Sequence, residues 1–248
     1  ESSRGHLPPG STVNTVAIRN GLSWQVPLLP HVENNSLLQD IKQQVAESRA
    51  TDDEKQPLDA LDLERVNHVQ VPSYKCPSDD EVIDNRNIDN RNGENGASCS
   101  YAGIAGSSAS RGEKDEFVVE KSGLCGETNS DGALFPGSEV QLREIEDGTT
   151  NTLLTGERWY QLRVWTAGAY WRKETVSDLR NAPVPDTCSS ALKNIDSDVP
   201  INASLPEVGY YVDHRDGDRP DDTQPALKRL PVNNLPFGPF HPGGAHLG

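Results

Sequence analysis

Residues 139–165, EVQLREIEDGTTNTLLTGERWYQLRVW, constrain the fold more than any other stretch of the chain. Val140 and Leu142 alternate with polar side chains, the two-residue period of a half-buried strand. Asp147-Gly148 is a turn signal, because glycine accepts the positive φ that tight turns require. Thr149, Thr150 and Asn151 carry side chains that hydrogen-bond a turn backbone. LLTGERWYQLRVW then returns as one or two strands. Trp159, Tyr160, Trp165, Tyr170 and Trp171 bring large apolar rings to the same region. Such a segment demands a sheet.

Other elements are read around it. From Val32 the apolar positions Leu37, Leu38, Ile41 and Val45 recur at mainly helical spacing, which predicts a helix over 35–48 with Ser36 as its N-cap. HVQVPSYKCPSDD at 68–80 reads as an extended strand stopped by Pro77. CSYAGIAGSSAS at 99–110 has the glycines of close backbone approach beside a strand. GALFPG at 132–137 reads as a strand ending in a turn. EVIDNRNIDNRNGENG, with IDNRN twice, is an exposed loop. A last strand is expected at Val208–Val212.

Composition limits how much of this can be core. The hydrophobic fraction is 33%, with 21 glycines and 18 prolines, so long connections are expected between short strands. The formal net charge of −15 excludes nucleic acid and anionic membrane surfaces as partners, since both require a basic face. No stretch approaches the roughly 20 apolar residues of a membrane span. Methionine is absent and the chain begins at Glu1, which leads to the expectation that an N-terminal piece has been removed.

Motifs for catalysis are missing. There is no HExxH, GxSxG, P-loop or GxGxxG opening a helix. Ser190 and Lys193 match SxxK without the companion motifs of serine acyl enzymes. Asp and Glu are too abundant for any carboxylate pair to signal glycoside hydrolysis. His6, His31, His68, His214, His241 and His246 have no metal-ligand spacing on a helix, and His241 and His246 lack visible partners as zinc ligands. Any metal is expected to be calcium, held by Asp213, Asp216, Asp218 and Asp221 around the Asp216-Gly217-Asp218 turn. Asn34-Asn35-Ser36 and Asn202-Ala203-Ser204 are glycosylation acceptor patterns.

Cys76, Cys99, Cys125 and Cys188 include no CxxC pair, which disfavours a zinc ribbon or thioredoxin site. An even count in an acidic, loop-rich chain suits an exported protein with up to two disulfides. Three connectivities remain open on spacing alone. The expected pairing is Cys76–Cys99, since each borders a predicted core strand with loop between them, which leaves Cys125–Cys188 as the second bridge.

The order of short segments carries a resemblance. LPPG comes first, then SWQVPLLPHVE, VPSYKCPSD, SYAGIAG, GALFPG, IEDGTTNTLLTGE and FHPGGAHLG. This series resembles the prepilin-like proteins abundant in planctomycete bacteria, which carry a C-terminal processing-associated signature of a histidine, nine residues and Asp-Gly. It spans Leu7 to Gly248, with insertions near 84–98, 107–131 and 172–235. The resemblance implies a type IV pilin-like or pseudopilin-like architecture: one α+β domain, residues 1–248, with an antiparallel sheet, a short helix and long loops. An N-terminal hydrophobic helix would precede Glu1. Asp147, Gly148, Thr149, Asn151 and Glu157 fall on the most characteristic positions. If His241 is the signature histidine, it is a turn or packing residue, and the glycine-rich tail leads into a final strand beyond Gly248.

The expected function is therefore a non-catalytic structural or assembly subunit, exported to the cell surface, a periplasm-like compartment or an extracellular filament. Its partners are other copies of itself or other pilin-like subunits, and it meets the membrane only through the N-terminal helix. The alternative is a calcium- or glycan-binding extracellular module anchored by that helix.

Overall fold

A computed structural model describes residues 5–12, 19–51, 59–79, 96–107, 118–122, 125–158, 163–171, 188–204, 230–239 and 241–248. Within them the chain is a mixed α+β protein with one α-helix and three small sheets. No helix among these residues is long and apolar enough to cross a membrane.

The helix α1 spans Asn35–Thr51. The apolar period that predicts it is the one it buries: Leu37 and Ile41 lie in the core, with Leu38 and Val45 packed against it. Burying two such side chains contributes about 1.5–3 kcal/mol each. The helix starts at Asn35, so Ser36 sits inside the first turn instead of capping it.

The strands are β1 (Arg19–Leu22), β2 (Tyr101–Ser107), β3 (Val118–Ser122), β4 (Gly126–Asn129), β5 (Thr155–Glu157), β6 (Ala167–Trp171), β7 (Cys188–Ser189) and β8 (Leu192–Ile195). They form sheets in the orders β1-β6-β7 and β5-β2-β8, plus the hairpin β3-β4. All pairings are antiparallel except β2 with β8, which run parallel, so the central sheet is mixed where an antiparallel one is expected. The hairpin and the strands β7 and β8 lie within the segments read as insertions at 107–131 and 172–235.

β2 organises the core by the two-residue period of a strand. Ala105 faces a cluster with Trp24, Leu134 and Leu192. Ala102 and Ile104, on the other face, pack with Phe237. A Cβ on Gly103 would meet Leu192 at 2.7 Å, Leu134 at 3.0 Å and the Trp24 indole nitrogen at 3.2 Å. The glycines of SYAGIAG thus admit SWQVP and GALFPG to the sheet.

Several expected strands are irregular segments pinned by buried side chains. Residues 68–79 contain only a 3-10 turn at Pro72–Tyr74, opened by the proline. Tyr74 and Trp165 hold this segment with rings 5.7 Å apart. The Trp165 indole donates to the Val69 carbonyl at 2.9 Å, and the Tyr74 hydroxyl donates to that of Gln25 at 2.7 Å. GALFPG forms a single bridge, Ser11 with Pro136, before Gly137 turns at φ 72°. The alternation at 139–145 gives a 3-10 turn at Leu142–Glu144 with Leu142 exposed, and β5 pairs with β2 instead of with this arm. Trp159 and Tyr160, the expected strand Val208–Val212 and most of the repeat loop lie outside the described residues.

Cys125 and Cys188 are bridged across a sequence separation of 63, tying the β3-β4 hairpin to β7. Cys76 and Cys99 are buried and free, which corrects the expected pairing. The reason is register. The Ser100 amide donates to the Tyr74 carbonyl and the Cys76 amide to the Ser100 hydroxyl, so Cys76 lies against Ser100. Cys99, one residue earlier, turns its sulfur toward the Gln25 side chain and the Tyr101 carbonyl. A one-residue offset in extended chain is enough to send neighbouring side chains to opposite faces.

Candidate functional site

The DG turn and the C-terminal tail meet at β5. In the turn, Gly148 has φ +81°, and the Asn151 side chain donates to the Asp147 carbonyl at 2.9 Å. The Asn151 amide donates to the Gly148 carbonyl at 3.0 Å and the Thr152 hydroxyl to the same carbonyl at 3.2 Å. These bonds turn the chain back so that Thr155–Glu157 enters the sheet as β5.

The tail then pairs with the free edge of β5. The Glu157 amide donates to the His246 carbonyl at 3.0 Å, the Gly248 amide to the Thr155 carbonyl at 3.0 Å, and the Thr155 amide to the Gly248 carbonyl at 2.8 Å. Gly156 and Leu247 form an antiparallel bridge. The glycines of FHPGGAHLG make this return possible: Gly243 and Gly244 take φ +120° and +100°. Asn202 accepts the Ala245 amide at 2.7 Å on the outer side. The tail thus pairs with the sheet within residues 246–248, where the expectation is a turn with the final strand beyond Gly248.

Glu157 is 1% exposed, a position that a carboxylate occupies only with partners. It accepts the His246 amide at 2.9 Å. Its Oε2 also lies 3.3 Å from Nε2 of His241. The two imidazole rings sit 5.1 Å apart. Cys76 completes the cluster: one donor atom each from Cys76, Glu157 and His241 lie within 4.8 Å of one another. The site draws on three distant segments, and this is why residue spacing does not reveal it. His241 is the one member that sequence reading singles out as a metal question, and its partners become visible only when β5 and the 72–79 segment fold beneath it.

Buried groups surround the cluster. The Cys76 amide bonds the Ser100 hydroxyl at 3.0 Å, Ser100 donates to Asp79 at 2.5 Å, and Lys75 pairs with Asp79 at 2.6 Å. Tyr101 lies opposite Glu157 in the β2-β5 ladder. Burial pushes its phenol up, with the charges of Cys76 and Glu157 adding to the shift. Burial also pushes the Cys99 thiol up, against the pull of the Arg158 guanidinium. Arg158 itself is driven down to about 10 by burial, with Cys99 opposing. It remains cationic at neutral pH and donates to the Ser190 carbonyl.

The other sequence candidates stand elsewhere. Asp213, Asp216, Asp218 and Asp221 lie outside the described residues, as does His214. In the SxxK match, the buried Lys193 ammonium is held by the carbonyls of Ser189 and Val232 at 2.9 and 3.0 Å, a structural use of the lysine.

A family model described as "Protein of unknown function (DUF1559)" matches residues 1–248. No curated protein and no solved structure matches the chain.

Proposed function

We propose that this chain, which belongs to the DUF1559 family across residues 1–248, is the ectodomain of a pilin-like or pseudopilin-like surface protein whose work is assembly and display, without catalysis. The observation that carries the reading is where the segments of the resemblance meet. LPPG, SWQVP, SYAGIAG and GALFPG converge around Gly103, Trp24 and Leu134, with the Trp24 amide donating to the Gly10 carbonyl at 3.2 Å and the Gly10 amide to that of Phe135 at 3.1 Å. LLTGE and the FHPGGAHLG tail are joined through Glu157. The segments that carry the resemblance are thus spent on holding irregular backbone together, which suits a display scaffold.

The disulfide supports the same reading from chemistry. A bridge between Cys125 and Cys188 belongs to an oxidising, extracytoplasmic environment. The net charge of −15 makes the domain surface repel copies of itself at low salt, so assembly is assigned to an apolar N-terminal helix of the kind the resemblance implies.

Light scattering and electron microscopy test this. The isolated 248-residue chain is expected to be monomeric. The same chain extended by an apolar N-terminal helix is expected to form filaments or remain with the membrane. A stable large oligomer of the isolated chain, unaffected by moderate salt, would overturn the proposal.

A further inference from the structure

We propose that Cys76, Glu157 and His241 bind a zinc ion that clips the C-terminal tail to the sheet. Their donor atoms lie within 4.8 Å of one another, and two of the three residues are buried. Ligand bonds of about 2.0–2.3 Å around a tetrahedral zinc place donor atoms roughly 3.5 Å apart, so small side-chain adjustments close the site.

The tautomer of His241 points the same way. Its Nδ1 lies 3.3 Å from the Pro242 carbonyl, which can only accept, so Nδ1 carries the hydrogen. In the neutral ring Nε2 then presents a lone pair, and it presents it to the Glu157 carboxylate 3.3 Å away. A ring nitrogen and a carboxylate facing one another at this distance are reconciled either by a proton on Nε2, as an ion pair, or by a metal ion between them, and the metal is the reading the thiol of Cys76 beside them favours. A backbone carbonyl holding Nδ1–H while Nε2 faces a shared centre is the usual outer arrangement of a metal-bound histidine.

The donor set selects the ion. A thiolate with an imidazole suits zinc, whereas calcium and magnesium take oxygen ligands. One thiolate and one carboxylate balance the two positive charges, which removes the cost of burying Glu157 as an uncompensated anion. The outer groups are in place: Ser100 holds the Cys76 amide, and the His246 amide holds Glu157. His241 is 21% exposed, so the fourth position opens to solvent.

The test is metal content and cobalt spectroscopy on the disulfide-intact chain. After zinc loading and exhaustive dialysis, one zinc per chain is expected to remain. Cobalt in its place is expected to give tetrahedral ligand-field bands with a thiolate-to-cobalt charge-transfer band. Cys76→Ser should abolish the charge-transfer band. His241→Gln, in the tail, should keep that band but weaken affinity by more than the roughly 10–100-fold that loss of an outer group costs. His31→Gln should change nothing. If Cys76→Ser fails to fold, as read by circular dichroism, the native cobalt spectrum decides. No retained zinc, a cobalt spectrum without a thiolate band, or a band unchanged in a folded Cys76→Ser protein overturns the proposal.

Discussion

The amide of His246 donates to the buried carboxylate of Glu157 at 2.9 Å, across 89 residues of sequence. Through this bond the last residues of the chain become part of the central sheet. Glu157→Ala removes the acceptor and leaves the His246 amide unsatisfied under partial burial, at a cost of about 1–3 kcal/mol. Urea denaturation should show that loss. Hydrogen exchange should accelerate at the Gly248 amide, which bonds the Thr155 carbonyl, more than in the β2-β8 ladder. Unchanged protection of the tail in this variant would mean that the backbone pairing alone holds it.

Gly156 and Gly148 separate crowding from strain. A Cβ on Gly156 would stand 2.6 Å from both Leu247 and Phe237, so Gly156→Val overpacks the joint between β5 and the tail and should cost about 1–3 kcal/mol. Gly148 has open space around it but a φ of +81°. Gly148→Ala therefore meets only the left-handed backbone penalty, roughly 1–2 kcal/mol. The tail should loosen in the first variant and stay protected in the second. Equal tail exchange in both would contradict the contact at Gly156.

The disulfide prediction concerns which thiols react. Alkylation of the denatured, unreduced protein followed by mass spectrometry should label Cys76 and Cys99 and leave Cys125 and Cys188 bridged. Closing a loop of 63 residues removes denatured-state entropy worth about 4 kcal/mol in the chain-entropy relation. Replacing Cys125 and Cys188 with serine should lower stability by up to that amount. Label on Cys125 or Cys188 would refute the pairing.

Local chemistry was readable where local chemistry decides. Leu37, Leu38, Ile41 and Val45 announce α1, because a helix satisfies its own backbone and needs the sequence only to choose a face. The turn at Asp147-Gly148 was legible for the same reason. The candidate site was not. β5 is only three residues long, and its partners are β2 on one edge and the tail on the other, neither adjacent in sequence. The parallel pairing of β2 with β8 joins SYAGIAG, a segment that carries the resemblance, to a segment that the resemblance marks as insertion. At 68–79 the apolar residues Val71 and Tyr74 mimic a strand, yet Pro72 cannot donate to a ladder, and tryptophan and tyrosine hydrogen bonds fix the segment instead. Cys76 and Cys99 show the limit most sharply: a register shift of one residue separates a bridge from two free thiols.

Cys99, together with Tyr74, also sets a pH dependence. Burial holds the Cys99 thiol above its ordinary value near 9. It likewise raises the Tyr74 phenol above its ordinary 10, with the charge of Cys99 adding to the effect. A group whose pKa is raised by folding keeps its proton in the native state after the unfolded chain has released it. From about pH 9 upward the native state therefore binds more protons than the unfolded state, and stability falls as pH rises. The loss begins with the unfolded pKa of Cys99 and deepens with that of Tyr74. The urea midpoint should be lower at about pH 10.5 than at about pH 8. Cys99→Ala leaves a cavity and lowers both midpoints, so the comparison rests on the slope: the decline just above pH 9 should flatten in this variant, while the later decline from Tyr74 persists. Burial of Arg158, whose pKa is driven down to about 10, works in the opposite direction above that pH, so the slope just above pH 9 decides: a slope untouched by Cys99→Ala would show that the Cys99 thiol ionises as freely in the folded protein as in the unfolded one.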